Sequence, residues 1–452
     1  MGAGRRKAYV ELETGEEPAV PRRGGGRGAL LVVLLLVLAS AGWLALGRRG
    51  PEPDPEGLRG REGFAEDLGP GLAVRWAVPV TSSDRVTGWT PELLLVTEDR
   101  ETLRAIDRRT GEERWRLRSS PGTLTSCDMP DPEGPLRCSE VTVQAWDSSF
   151  PYLRPGTPRP WNWAGLGMGV RDEGLRDPAT GESLGTWSPV SGPTAMWGLA
   201  RVVLDEDERV LRLEDVDGTV RWEVPVPGEE LPDILVHEDL GLATVRADRH
   251  LVLDVEGRIV AELPLEDGAY WDHLFPLAGG GTARRILAAE PLVAVLDAEG
   301  EELARERGEM LRPTLDDGSA GGIVVVADGR TARVLGSDGR VLLDLPYRPE
   351  EAWVLQGSLV TRFLGQVRAH SLEDGRERWV LRMPRGTVVG ADGEVVLVED
   401  RSEEPRLRAV SVRDGSERWT FPLPGPGSRL HALGGMLLLR EGGSLMLLAE
   451  EG

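Results

Sequence analysis

The chain has 452 residues, 40% of them apolar, so it can bury a large core. Its formal net charge is −22, and residues 1–50 hold eight Lys/Arg against four Glu, which leaves −26 for residues 51–452. So acidic a body disfavours nucleic acid as a partner, because phosphate binding needs a basic surface. Lys7 is the only lysine, and this arginine bias suggests a GC-rich bacterial genome.

Residues 1–28 are too few for a domain and read as a short cytoplasmic tail. Residues 29–47, ALLVVLLLVLASAGWLALG, are uncharged and mostly apolar, and as a helix they would match the roughly 30 Å of a bilayer core. Arg5, Arg6, Lys7, Arg22, Arg23 and Arg27 lie upstream, so the positive-inside rule places the N-terminus in the cytoplasm. The expectation is a single-pass signal anchor in the cell membrane. A cleavable signal peptide ending at Ala39-Ser40-Ala41 is the alternative, and both readings export the rest of the chain. Residues 48–70, rich in Pro, Gly and charge, read as a solvated spacer.

From residue 71 to 452 one sentence is written repeatedly: an apolar strand, a tight turn ending in glycine, and a second strand. Trp stands four residues after Gly111, Gly218, Gly375 and Gly415, as Trp115, Trp222, Trp379 and Trp419. Weaker copies turn at Gly181, where Trp187 comes six residues on, and at Gly257, Gly300 and Gly339, followed by Ala261, Ala304 and Leu343. Asp-Gly, Glu-Gly and Thr-Gly suit tight hairpins. Apart from the 70 residues between Gly111 and Gly181, the turn glycines are 36 to 43 residues apart. Such a unit, made of short strands that cannot bury both faces alone, is what a propeller blade requires. The chain ends on a strand and a glycine without a Trp strand, while AVRWAVPV, Ala73 to Val80, matches TVRWEVPV, Thr219 to Val226. The expectation is an all-β propeller of about eight blades, range seven to nine, in which the strand holding Trp76 completes the last blade.

Cys127 and Cys138 are the only cysteines. In an oxidising compartment the pair reads as a disulfide, and the alternative is two free thiols. They fall in an apparent insertion at 119–165, which also holds Trp146, Phe150, Tyr152, Trp161 and Trp163, five of 23 aromatic residues within eighteen positions. These aromatics are candidate partner-binding residues; the alternative is that they fold back on the ring as a cap or an irregular blade. His237, His250, His273, His370 and His431 show no ligand spacing and read as surface or loop residues. Asp205-Glu206-Asp207, Asp215-Val216-Asp217 and Asp316-Asp317 abut turns, with an incidental calcium at Asp215–Gly218 as the alternative. Neither a GxSxG elbow nor a GxxxxGK[ST] loop is present. No catalytic, metal or cofactor residue is expected.

The pattern A-x-D-x-x-T-G-x-x-x-W, complete in Ala105, Asp107, Thr110, Gly111 and Trp115, resembles the repeat of pyrroloquinoline-quinone-like (PQQ-like) β-propellers. The resemblance implies that Trp76, Trp115, Trp222, Trp379 and Trp419 pack between blades. The family includes quinoprotein dehydrogenases, but their adjacent-cysteine disulfide and a CxxCH haem attachment are missing here. It also includes the non-enzymatic, BamB-like branch, from which this chain differs in having no cysteine near its exported N-terminus to carry a lipid. The leading expectation is a membrane-anchored, extracytoplasmic propeller that binds an envelope or membrane protein as a scaffold, without enzymatic activity. A small-molecule or glycan sensor in the propeller mouth is the alternative, and a quinone-dependent dehydrogenase the third reading.

Overall fold

The computed structural model describes residues 58–450 except 59–60, 62, 67, 83, 100–101, 120–122, 130–133, 143–169, 189–192, 230–231, 270 and 278–279. All of them belong to the second of two compact units, Gly50–Gly452. The expected tail, membrane span and first part of the spacer lie outside the described residues. Among the described residues no helix is long and apolar enough to cross a membrane.

Nine sheets of antiparallel strands follow one another along the chain. Blade 1 spans 85–118, blade 2 123–186, blade 3 194–225, blade 4 233–264, blade 5 271–307, blade 6 309–345, blade 7 351–382 and blade 8 386–422. The sheet of blade 7 takes a parallel fifth strand, Leu315–Asp316, beside Glu351–Leu355. Blade 9 takes three strands from 429–450 and its fourth from Leu72–Pro79, paired antiparallel with Ser444–Glu450. The ring therefore closes through its own termini, as the split repeat predicts, and leaves no gap between the first and last blade. Nine blades lie within the expected range of seven to nine, one above its central figure of eight. The difference is blade 2, whose four strands are complete but whose repeat is split by a long connection and lacks the Trp at the usual place.

Each part of the repeat motif has a physical task. The Asp107 carboxylate accepts the N–H groups of Arg109 and Thr110 at 2.9 and 2.8 Å, and the Gly111 N–H bonds the Asp107 carbonyl at 2.8 Å, which closes the turn. A register shift comes after the turn, and it brings Trp115, Trp379 and Trp419 directly opposite Ala105, Ala369 and Ala409 on the neighbouring strand. A small residue faces a large one, so the pair fills the layer without strain. Where the Trp is replaced by Ala261 or Ala304, the residue opposite is Val252 or Val295, which restores volume.

The Trp ring reaches the next blade. Trp76 Nε1 donates to the Arg108 carbonyl at 2.6 Å, Trp115 to Pro178 at 2.8 Å, Trp222 to Val255 at 3.2 Å and Trp379 to Val412 at 2.8 Å. Each acceptor precedes the turn glycine of the following blade, and that glycine lies against the same ring. Trp419 is half-buried in the apolar cluster between blades 8 and 9. Blade 2 carries Gly185 at the corresponding place, where Val216 of blade 3 approaches it, and Trp187 packs instead with Leu175, Met196 and Val216. The nine apolar clusters of the described residues each occupy one joint between successive blades. The core is therefore a circle of joints, with no single centre.

The expected spacer at 48–70 needs correction from Leu58 onward. Leu58, Phe64 and Ala65 are 2%, 3% and 0% exposed. Phe64 bridges Ala391 in parallel and Ala65 bridges Gly435, while the Gly63 N–H bonds the Ala432 carbonyl at 2.9 Å. Leu58 and Phe64 join the cluster of blades 7 and 8, and Ala65 that of blades 8 and 9. Charge and proline in the surrounding residues conceal this short apolar strap, which satisfies backbone groups at the ends of the inner strands.

Candidate functional site

In an antiparallel meander successive turns emerge at alternate ends, so all connections from a second to a third strand share one face of the ring. They run over 99–101, 206–209, 247–248, 288–291, 329–330, 364–365, 401–405 and 442–443 in the other eight blades, two to five residues each. In blade 2 the connection is 143–169, between Leu136–Thr142 and Val170–Arg176. The insertion expected at 119–165 is thereby redrawn, because 123–128 and 136–142 are ordinary blade strands. Trp146, Phe150, Tyr152, Trp161 and Trp163 all fall within 143–169 and lie outside the described residues.

The base of that connection is firmly built. Cys127 and Cys138 are directly opposed on the first two strands of blade 2 and joined by a disulfide, both buried against Trp115, Leu103 and Leu136. Next to Cys138, the fully buried Arg137 donates from Nη1 to the Gly198 carbonyl at 2.8 Å and to Glu238 Oε1 at 2.5 Å. Glu238 Oε1 also accepts the Gly198 N–H at 2.8 Å. One guanidinium thus ties blades 2, 3 and 4 together, with its hydrogen bonds offsetting the desolvation of a buried charge.

The surface reading of the histidines is corrected for four of the five. His237, His250, His273 and His370 are all at most 9% exposed and sit on strands, while His431 is exposed. His250 of blade 4 places Nε2 3.2 Å from Asp272 Oδ1 of blade 5, and Arg284 holds the same carboxylate at 2.9 and 2.5 Å. Burial pushes the Asp272 carboxyl up, but the hydrogen bonds from Arg284 and His250 outweigh it and hold the group well below the usual range. Arg284 also donates to the Pro264 carbonyl at 2.7 Å, so the triad staples blade 4 to blade 5. His370 meets the Tyr347 hydroxyl at 2.9 Å, and burial lowers the imidazole pKa. His273 lies on the inner strand of blade 5 with Nε2 3.9 Å from Asp233 Oδ2 of blade 4.

The acidic pairs work as turn builders. Asp205 accepts the N–H groups of Asp207 and Glu208, Asp217 accepts that of Thr219, and Asp215 pairs with Arg221. Asp317, 4% exposed, accepts the Ser319 N–H at 2.9 Å and the Gln356 N–H at 2.6 Å. Sequence reasoning missed Arg137, Arg246 and Arg285, half-buried or buried arginines on strands that no motif marks.

Residues 364–451 match the PQQ_2 family model, described as outer membrane protein assembly factor BamB. No curated protein matches the chain by sequence. Similar solved structures include BamB from Moraxella catarrhalis, 11% identical, covering 83% of this chain and 97% of that one at a TM-score of 0.41. A eukaryotic initiation factor is 9% identical over 85% of this chain and 92% of that one, at 0.49. Quinohemoprotein alcohol dehydrogenase from Comamonas testosteroni is 12% identical over 86% and 79%, at 0.42. At these scores the likenesses carry no argument, and the fold stands on the nine sheets and the strand that closes them. The nine sheets and the closing strand make the described residues an all-β propeller, of which residues 364–451 are similar to the PQQ_2 model described as BamB.

Proposed function

We propose that the protein is a membrane-anchored scaffold of the bacterial cell envelope, in which a rigid extracytoplasmic propeller presents one loop to an envelope or membrane protein. No bond is made or broken in this role. The observation that carries the reading is the position of residues 143–169. In sequence they separate the second and third strands of blade 2 where the other eight blades use two to five residues, and the blade they interrupt is stapled by Cys127–Cys138 and Arg137. Binding residues concentrate on loops held by rigid scaffolds, and a fixed base lowers the entropy lost on association. The disulfide supports an oxidising compartment, and the apolar run 29–47 supports the anchor. The BamB-like repeat in 364–451 supports a non-enzymatic role.

The test is proximity labelling in the native membrane, comparing the full chain with a variant in which 143–169 is replaced by an Asn-Gly turn. Loss of defined labelled envelope proteins, with circular dichroism unchanged, is the expected result. A labelled set that survives the replacement overturns the loop as the binding element.

A further inference from the structure

Among the described residues, most of the arginines that are buried or partly buried pair with a neighbour, but two do not. Arg246 and Arg285 are the only partly buried arginines among the described residues that form neither an ion pair nor a hydrogen bond, and the Nε of each is buried without an acceptor. A desolvated guanidinium with an unmet donor is costly, so a folded protein supplies its acceptor from solvent or a ligand.

Strand register places these two arginines around one spot. Arg246 is the cross-strand partner of Asp233 on the inner strand of blade 4, and Arg285 is the partner of His273 on the inner strand of blade 5. Asp233 and His273 are themselves 3.9 Å apart, which links the two pairs across the joint. A third guanidinium, Arg312, sits 5.1 Å from the centre of the Phe275 ring, two residues along the strand from His273. The buried carboxylate of Asp272, next to His273 in sequence, is already held by Arg284 and the Glu266 N–H. Burial lowers the His273 pKa, Asp233 opposes this, and the charges of Arg246, His250 and Arg285 lower it further. The inner ends of blades 4 and 5 are thus a positive spot within a chain of net charge −22.

We propose that Arg246, Arg285 and His273 form a binding site for a phosphate-type dianion. Two planar guanidiniums offer forked donors suited to a tetrahedral oxyanion, and a ring N–H on the same strand pair adds a third direction. A single-charged carboxylate would leave one arginine unmatched, whereas a dianion balances both. Binding of an anion raises the His273 pKa, so protons and anion bind together and affinity rises as pH falls.

The experiment is isothermal titration of the purified full-length chain with sulfate, a tetrahedral oxyanion that stays a dianion at both pH values, at constant ionic strength, at about pH 6 and about pH 7.5. Expected are saturable binding, tighter at the lower pH, and a loss of more than about tenfold in Arg246→Gln and in Arg285→Gln. Arg330→Gln, an exposed arginine on another blade, should bind as the parent does. His273→Gln should remove the pH dependence while leaving the sulfate-free melting temperature near that of the parent. If either glutamine variant fails to fold, Arg246→Lys and Arg285→Lys keep the charge and lose the fork, and each should still weaken binding. Heat that does not saturate, or an affinity unchanged in the folded Arg246 and Arg285 variants, overturns the site. Partner labelling through 143–169 uses other residues, so its outcome is independent of this one.

Discussion

Two glycines separate the cost of a turn from the cost of a joint. Gly415 has φ +71°, and a Cβ there would stand 2.6 Å from Cγ of Trp379. Gly218 has φ +83° and nothing within 4 Å of the same added atom, because blade 2 lacks the Trp that would lie beneath it. Alanine at either position carries the left-handed backbone cost of about 1–2 kcal/mol. Only at Gly415 does it also push on a ring that is 8% exposed and tied to the Val412 carbonyl, which adds about 1–3 kcal/mol of overpacking. Gly415→Ala should therefore cost about 2–5 kcal/mol and Gly218→Ala about 1–2 kcal/mol. The assay is urea unfolding with matched slopes, reading the difference in midpoint. In a Trp379→Ala background the extra cost at Gly415 should vanish, since the two residues act as one contact. Equal midpoint shifts for the two glycine variants, or an extra cost that persists without Trp379, would refute the account of the joint.

Phe64→Ala should lower stability by about 3–5 kcal/mol, seen as an earlier urea midpoint, because the ring is 3% exposed between blades 7 and 8. A midpoint that does not move would restore the spacer reading of this segment. The hydrogen bond from Arg114, with the N–H groups of Thr110 and Arg109 and against the effect of burial, lowers the Asp107 carboxyl from 3.8 to about 2. A depressed carboxyl stabilises the fold above its unfolded value, so this contribution is present above about pH 4 and is lost as pH falls toward 2. Acid unfolding followed by tryptophan fluorescence should show a shallower slope in that window for Asp107→Asn; an unchanged slope would remove Asp107 from the turn's acid response.

The motif around Trp115 could be read without coordinates because every part of it is local. Asp107, Thr110 and Gly111 build a turn from their own backbone, and the alanine opposite the Trp is a fixed number of residues away. Blade 2 resisted the same reading because its second and third strands are separated by 143–169 and its Trp moved from the fourth to the sixth position after Gly181. The histidines misled for a different reason. Without ligand spacing they looked like surface residues, yet His250 is 1% exposed because Asp272 and Arg284 arrive from the next blade.

The sequence by itself determined the repeat, the all-β class and the closing strand, since each rests on periodicity or on two segments that match at most of their positions. Tertiary structure decided the ninth blade, the burial of Phe64 and Ala65, and the meeting of Arg246, Asp233, His273 and Arg285. Burial and charge balance at a joint depend on which side chains the neighbouring blade brings, and residues 12 to 52 positions apart carry no periodic trace of that encounter.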